Sequence, residues 1–136
     1  MPQEGTPTAE WPGDWLRGVL AVCVLRVLAD GPTYGYALGV RLAEAGLGTV
    51  KGGTLYPALA RLEQAGLLDV EWRAGEGGPG RKYYALTDAG RAELTRSATR
   101  WVRFAELTAR LVADATTPST DPAPDAVPLP TERPLP

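Results

Sequence analysis

The sequence predicts a mainly α-helical fold with one small β-hairpin and a long C-terminal helix. Apolar residues recur at intervals of three and four in three successive segments between residues 14 and 66, and again between residues 88 and 113, as in amphipathic helices. Between these regions the period changes to two on either side of a glycine-rich stretch, which is typical of a hairpin. With 136 residues and 44 % apolar content, the chain fits one globular domain rather than two.

The first two helices have clear start and stop signals. Asp14 is a predicted N-cap for the first helix, and the run "DGP" at residues 30–32 ends it, because glycine and proline interrupt helices. The second helix is predicted to follow Thr33 and to end at Gly46, since glycine favours the position just after a helix.

The third helix has a clear end at Gly66 and an ambiguous start. Its apolar stripe consists of the leucines at positions 55, 59 and 62. Pro57 has no N–H donor and disfavours helical backbone at Tyr56. Local rules therefore begin this helix at Pro57 and leave residues 51–56 as a loop.

The stretch "GEGGPGRKYYALT" at residues 75–87 allows three interpretations: a phosphate-binding loop, a plain hairpin turn, or a finger that reaches toward a polyanion. A phosphate-binding loop does not fit, because no Lys-Ser or Lys-Thr pair follows the glycines and no helix begins there. Residues 68–73 and 81–87 instead form two strands around a glycine-rich tip, and Arg81 and Lys82 begin the return strand. Local sequence leaves open whether these cations bind a partner or are simply solvated.

A last, long helix is predicted from about Asp88 to about Ala113, with Thr87 as its N-cap. A helix that is apolar on two sides needs a partner beyond one small domain, and the simplest partner is a second copy across a two-fold axis. One apolar row consists of Trp101, Phe104, Thr108 and Leu111, and the other consists of Val102, Ala105, Ala109 and Val112.

Three helices, a hairpin and a further helix make a winged helix-turn-helix domain followed by a C-terminal dimerisation helix. We expect a flexible N-terminal segment at 1–13, the winged helix-turn-helix domain at 14–87 and the dimerisation helix at 88–114. Residues 115–136 are rich in proline, which predicts a disordered tail.

The formal net charge of −2 conceals an uneven distribution. Residues 1–10 carry two acids, and residues 114–136 carry four acids against one arginine. Residues 11–113 hold thirteen cations and ten acids, so that the predicted structured part has a net charge of +3. A mildly basic domain is compatible with a polyanionic partner, and the local clustering of cations decides the question.

Several function classes are disfavoured by composition. The chain has no histidine and one cysteine, which removes Ser-His-Asp and Cys-His catalytic arrangements and disfavours a zinc site. The acids are scattered, so no catalytic residues, metal or cofactor are expected and the chain is not expected to be an enzyme. No run of apolar residues is long enough to span a membrane and no signal peptide is evident, which predicts a cytoplasmic protein without a membrane partner.

The third helix carries the pattern of a recognition helix. Lys51, Thr54, Tyr56 and Arg61 surround the leucine stripe, so that one face can be buried while another carries hydrogen-bond donors. Gly52 and Gly53 would let the backbone come close to a duplex. The alternative interpretation is an ordinary amphipathic core helix.

Three consecutive motifs resemble those of the PadR family of bacterial transcriptional regulators: "TYGYALGVRL", "GGTLYPALARLEQAGLL" and "GPGRKYYALTDAGRAEL". The resemblance covers residues 15 to 113. It implies that the recognition helix includes "GTLYP" and so starts before Pro57. The chain departs from the family at Lys51 and Gly52, where the family often has serine followed by proline or an acid. A conventional N-cap is therefore missing, and Thr49 is the alternative cap.

The resemblance implies a homodimer that binds double-stranded DNA sequence-specifically, usually to repress transcription, at an inverted-repeat operator. Tyr34 and Tyr36 would anchor the second helix against the DNA backbone, and Arg81 and Lys82 would contact phosphates or the minor groove. The residues that the resemblance places at or in the major groove are Lys51, Gly53, Thr54, Tyr56 and Pro57. The residue pattern of the third helix adds Arg61 as a candidate DNA contact.

The same resemblance implies two roles for the last helix. The dimer interface would include Trp101, Phe104, Ala105, Thr108, Leu111 and Val112. Some relatives bind flat aromatic effectors between paired tryptophans, which makes Trp101 a candidate effector residue; the alternative is that Trp101 only anchors the interface. A second function class also stays open, namely a winged-helix module that binds another protein rather than DNA.

Overall fold

The computed structural model describes residues 11–75 and 77–116. The predicted arrangement of mainly helical structure with a small hairpin and a long C-terminal helix is confirmed. Two compact units divide the chain, Met1–Arg96 and Ser97–Pro136, and the last helix continues from the first unit into the second. The elements are α1 (Gly13–Leu28), β1 (Thr33–Tyr34), α2 (Gly35–Leu42), α3 (Gly52–Gln64), β2 (Leu68–Gly75), β3 (Gly78–Leu86) and α4 (Asp88–Val112).

The hydrophobic core lies within the first unit, where α1, α2 and α3 pack together and against one face of the sheet. Its side chains are almost entirely aliphatic, and no polar side chain is buried among the described residues. Burying such side chains is the main favourable contribution to folding. The most enclosed members are Leu20, Val24, Leu25, Leu28, Leu38, Leu42 and Leu59.

The sheet has three antiparallel strands in the order β1-β3-β2. Leu68 pairs with Leu86 and Val70 pairs with Tyr84 on the face that meets the helices. The predicted alternation of β2 continues through Trp72, which is nonetheless 68 % exposed. Trp72 points to the same face of the strand but lies toward the hairpin tip, where the core no longer covers the sheet.

The start of α1 differs from the prediction. The N-cap position is Pro12, no side chain caps the helix, and Asp14 lies in the first turn, where it pairs with Arg17. A carboxylate in the first turn interacts favourably with the helix dipole without capping a particular N–H group. Trp11 donates from Nε1 to the carbonyl oxygen of Gly46 at 2.9 Å, and Gly13, predicted to belong to the flexible segment, is the first residue of α1. Residues 1–10 of that segment lie outside the described residues.

The predicted second helix begins one residue later than expected, at Gly35 instead of Tyr34. Thr33 and Tyr34 form β1, which pairs with Tyr84 and Tyr83 of β3, and α2 begins at Gly35. Pairing with a strand about fifty residues away outweighs the local preference. After α2 the chain makes a wide helical turn, Ala43–Leu47, which ends as predicted near Gly46.

The third helix begins at Gly52, so the start at Pro57 expected from local rules is wrong and the start implied by the family resemblance is confirmed. Pro57 cannot donate a hydrogen bond to the carbonyl of Gly53, four residues earlier in the first turn of α3. Burial of Leu55 provides packing that favours the extra helical turn. Lys51 occupies the N-cap position without a side-chain hydrogen bond, so Thr49 is not the cap.

The start of α4 is as predicted. The hydroxyl oxygen of Thr87 accepts a hydrogen bond from the Gly90 N–H at 2.9 Å, and the hydroxyl donates to the Gly66 carbonyl at 2.8 Å. Thr87 therefore caps α4 and ties it to the end of α3. The tail predicted at 115–136 lies outside the described residues beyond Thr116. No helix in the described ranges is both long enough and apolar enough to cross a bilayer.

Candidate nucleic-acid interface

One face of α3 is turned away from the core along its whole length. The buried residues Leu55, Ala58, Leu59 and Leu62 define the opposite face. Ala60 and Gln64 extend the exposed face beyond the predicted contacts, and their three- and four-residue spacing from Tyr56 and Pro57 could have identified them. The exposed face consists of Gly53, Tyr56, Pro57, Ala60 and Gln64, with Arg61 exposed at its flank.

The N-terminal end of α3 combines small residues with donors. Lys51 is exposed immediately before the helix, and Thr54, in the first turn, is half-buried. Gly52 and Gly53 add no side chains that would keep a partner away from the backbone. Hydrogen-bond donors beside an unobstructed backbone are the requirements for close approach to a polyanion.

Tyr56 lies across the start of α2. A Cβ atom at position 35 would overlap the Tyr56 phenol, so Gly35 is what allows this close contact. Tyr56 still has 48 % of its surface exposed, and neighbouring Tyr36 has 73 % exposed. Both tyrosines, with Val40, border a groove of about 340 Å³ between α2 and the start of α3. The structure therefore brings two of the predicted site residues, Tyr36 of α2 and Tyr56 of α3, to the same groove.

Arg81 and Lys82 are separated onto opposite faces of β3, as consecutive strand residues must be. Lys82 is 38 % exposed and forms an ion pair with Glu63 of α3, with Nζ 3.7 Å from Oε1. Its Nζ atom also lies 5.5 Å from the ring centroid of Tyr84. Burial is the main cause that raises the pKa of Tyr84, and the nearby Lys82 opposes that shift. Lys82 thus connects the hairpin to α3.

Arg81 lies on the outer face of the hairpin, the face away from the core. Its Cζ atom is 4.3 Å from the ring centroid of Tyr34. Tyr34 contacts Tyr83 with ring centroids 5.4 Å apart, and Arg73 lies over Tyr83 at 4.2 Å. Arg73 was not among the predicted contacts. The alternating pattern of the hairpin could have identified it, because that pattern places Arg73 near the tip of β2, directly across from Arg81.

The second unit carries the residues predicted for dimerisation and effector binding. Trp101 is half-buried and meets Phe104 edge to face, with ring centroids 5.6 Å apart. Beside them is an open depression of about 380 Å³ that Ser97 and Arg100 also line. Leu107 is an exposed apolar residue that the two predicted rows omit. The remaining predicted interface residues, Ala105, Thr108, Leu111 and Val112, are exposed in the single chain.

The described residues show no arrangement that favours metal or thiol chemistry. No group of three or more histidine, cysteine, aspartate or glutamate side chains in residues 11–75 and 77–116 is placed to hold a metal ion. Cys23 is half-buried in α1, and burial raises the pKa of its thiol, which disfavours the reactive thiolate.

Comparison with known proteins agrees with this geometry. The model of the transcriptional regulator PadR-like family matches residues 24–96. Transcriptional regulator Rv3488 of Mycobacterium tuberculosis is 40 % identical over 82 residues, which cover 60 % of this chain and 75 % of the relative.

Solved structures of similar proteins extend the match to three dimensions. A PadR family transcriptional regulator from Eggerthella lenta is 39 % identical, covers 73 % of this chain and 86 % of its own, and has a TM-score of 0.65. A PadR-like regulator from Bacillus cereus is 32 % identical with a TM-score of 0.64, over 74 % of this chain and 97 % of its own. Family members are DNA-binding regulators without enzymatic activity, which agrees with the expectation from composition that the chain is not an enzyme. With a helix-turn-helix, an adjoining basic hairpin and matches in both sequence and structure, the chain belongs to the PadR-like family of transcriptional regulators.

Proposed function

We propose that the chain is a homodimeric, sequence-specific DNA-binding repressor that a small aromatic effector releases from its operator. The observation that carries the proposal is the outward face of α3, where Lys51, Gly53 and Tyr56 are exposed beside the start of α2. A helix with one face buried and donors on the other is the form that enters a major groove. Thr54, Pro57 and Arg61 complete the proposed contacts of this helix.

The flanking elements would position the recognition helix on the duplex. Tyr36 projects at the start of α2, where it would meet the phosphate backbone, and Tyr34 supports Arg81 of the hairpin. Arg81 would contact a phosphate or the neighbouring minor groove. Lys82 is paired with Glu63 in the free chain, so its contribution would be to hold the hairpin against α3 as well as to add positive charge.

A homodimer is supported by the apolar surface of α4. Exposed apolar side chains in the second unit include Val102, Phe104 and Leu111, and a surface of this kind marks an interaction site. A symmetric dimer presents two recognition helices, which predicts an inverted-repeat operator with half-site centres about 10 bp apart.

Release by an effector would act through the dimer. An aromatic compound bound beside Trp101 and Phe104 would favour one dimer geometry and so change the spacing of the two recognition helices. The open depression next to these two rings supports this part of the proposal. Titration with a panel of planar aromatic compounds would test it: binding should quench tryptophan fluorescence and weaken DNA binding together, and Trp101→Leu should abolish both effects. If no compound produces either effect, this part of the proposal is wrong.

A gel-shift and footprinting experiment with the DNA upstream of the chain's own coding region tests DNA binding. We expect a protected inverted repeat and a loss of binding in the double variant Arg81→Ala with Lys82→Ala. Asp88→Asn, at the start of α4, changes a charge without touching the proposed interface and serves as the control. Absence of any shift at low salt, or a shift that the double variant leaves unchanged, would favour a protein-binding winged helix instead.

A further inference from the structure

We propose that Arg73 and Arg81 together form an anion-binding site for the DNA backbone on the outer face of the hairpin, and that Tyr34 and Tyr83 are positioning residues for it. The site is defined by these four residues, which we call the outer-face cluster. The inference deepens the proposed DNA-binding function, on which it rests.

The four side chains of the outer-face cluster are held by strand pairing. Tyr34 of β1 lies directly opposite Tyr83 of β3, and Arg73 of β2 lies directly opposite Arg81 of β3. Alternation along the strands places all four side chains on the same side of the sheet. Each guanidinium group lies over a ring, Arg73 over Tyr83 at 4.2 Å and Arg81 over Tyr34 at 4.3 Å.

Directly opposed arginines are unfavourable unless something offsets the repulsion between their charges. Their Cα atoms lie about 5 Å apart in such a pair, and the two rings offset part of the repulsion through cation–π attraction. Nothing on β3 supplies a carboxylate to this pair, since its described residues from Gly78 to Leu86 include no acid. A bound phosphate would satisfy both guanidinium groups at once.

Glu71 of β2 pairs with one arginine of the cluster. Its Oε1 atom lies 3.5 Å from a terminal nitrogen of Arg73, and both side chains are substantially exposed. An exposed ion pair of this length contributes little stability, so a phosphate can replace it. Glu71 therefore competes with the proposed phosphate for Arg73. Removing the charge of Glu71 should strengthen DNA binding, whereas removing the charge of Arg73 should weaken it.

The tyrosines restrict where the two guanidinium groups can go. An arginine side chain loses considerable rotamer entropy when it is fixed, and a ring that already holds it lowers the cost of forming the contact. The contact between Tyr34 and Tyr83 also joins β1, which leads into α2, to the hairpin. The cluster thereby fixes its arginines relative to the helix-turn-helix.

The charge variants are tested by titrating the full-length protein against a fluorescein-labelled duplex of its own upstream DNA over a range of salt concentrations. Arg73→Gln should weaken binding about 3- to 10-fold at low salt and reduce the slope of log K against log salt by about 0.9, as Arg81→Gln should. Arg91→Gln, in α4 and away from the hairpin tip, removes the same charge and should change neither quantity beyond the general charge effect.

Glu71→Gln should strengthen binding about two- to threefold at low salt, because it frees Arg73. Asp69→Asn is its matched control, since it removes an equal charge from the same face of the same strand, two residues farther from the tip. Equal effects of these two variants would overturn the role assigned to Glu71 and Arg73.

The positioning role is tested at Tyr83, which can be changed without altering net charge. Tyr83→Phe keeps a ring beside Arg73 and should bind DNA like the wild type, whereas Tyr83→Leu should weaken binding about threefold or more. Thermal unfolding of both variants separates this effect from a loss of folding. If Tyr83→Leu folds and binds normally, Tyr83 does not position Arg73.

Failure of this inference can be distinguished from failure of the proposed function. A wild-type chain that binds no duplex at low salt overturns both. A wild-type chain that binds, with Arg73→Gln indistinguishable from Arg91→Gln in affinity and salt slope, overturns the anion site alone.

Discussion

Gly90 is the residue whose replacement should disturb the fold most directly. A Cβ atom there would overlap the carbonyl oxygen of Leu67 and approach the Leu86 side chain to 3.1 Å. Backbone cannot give way as a flexible side chain can, so Gly90→Ala should destabilise the protein by about 1 to 3 kcal/mol despite the better helix propensity of alanine.

Urea unfolding measures this effect, and Gly18→Ala is the matched control. Gly18 also lies inside a helix, but a Cβ atom added there would meet nothing within 4 Å. The same substitution there should stabilise the protein by about 0.5 to 1 kcal/mol. Equal effects of the two alanines would show that contact with the Leu67 carbonyl is not what requires glycine.

At the scale of residues, the sequence predicts which side chains are cationic or aromatic but not which of them meet. Alternation along β3 already separates Arg81 from Lys82. The partners of those two residues, Tyr34 and Glu63, lie 47 and 19 positions away in the chain, so only the folded structure reveals that Lys82 is paired while Arg81 is stacked on a ring. The roles assigned to both residues in DNA binding stay predictions.

The contacts of Asp30, which connect α1 to α2, should make the stability of the protein sensitive to pH. Asp30 follows α1 and accepts hydrogen bonds from Arg26 of α1 at 3.1 Å and from Arg41 of α2 at 2.5 Å. These contacts lower the pKa of the Asp30 carboxyl below its ordinary value of 3.8, and the hydrogen bond from Arg41 contributes most. Because the pKa is lower in the folded state, the contacts of Asp30 stabilise the protein at pH values above its ordinary pKa. This contribution is lost as the pH falls through the pKa of the folded state.

Asp30→Asn should therefore lower the melting temperature at about pH 7, and the difference from the wild type should shrink as the pH falls below about 4. Thermal unfolding followed by circular dichroism at several pH values measures it. Asp69→Asn makes the same change at an exposed position of β2 and serves as the comparison for the loss of one carboxylate. A difference between Asp30→Asn and the wild type that is the same at every pH would contradict the assigned linkage.

At the scale of elements, periodicity predicts the helices and the hairpin but not their starts. Tyr34 is predicted to be helical, and is not, because the strand with which it pairs lies far along the chain. The helical turn before Pro57 is missed because local rules consider the missing N–H group and not the burial of Leu55. In both cases tertiary contacts decide what local sequence leaves open.

At the scale of the whole molecule, α4 should determine the oligomeric state. Leu111 is 79 % exposed in the single chain, within the apolar part of the second unit. A carboxylate placed there would be unfavourable in a dimer interface and harmless in a monomer. Leu111→Glu should therefore be monomeric at concentrations at which the wild type has twice the mass of one 14.4 kDa chain.

Sedimentation equilibrium measures the two masses. Arg103→Glu introduces the same side chain on the polar side of the helix and should leave the dimer intact. A wild type that is monomeric at working concentrations, or a Leu111→Glu variant that is as dimeric as the wild type, would contradict the proposed interface. The sequence indicates that α4 needs a partner, because its apolar residues exceed what one small domain can cover, but one chain alone does not contain the surface that meets it.

Strand β1 is only two residues long, yet it joins the start of α2 to the hairpin through its pairing with β3. Short edge strands open more readily than long ones, so the amides that link Thr33 and Tyr34 to β3 should exchange their hydrogens for deuterium well before those between β2 and β3. Brief opening of the β1–β3 pairing would let the hairpin change its tilt against the helix-turn-helix while the leucine-rich core stays closed. Such a change would let the protein adjust to DNA of slightly different curvature.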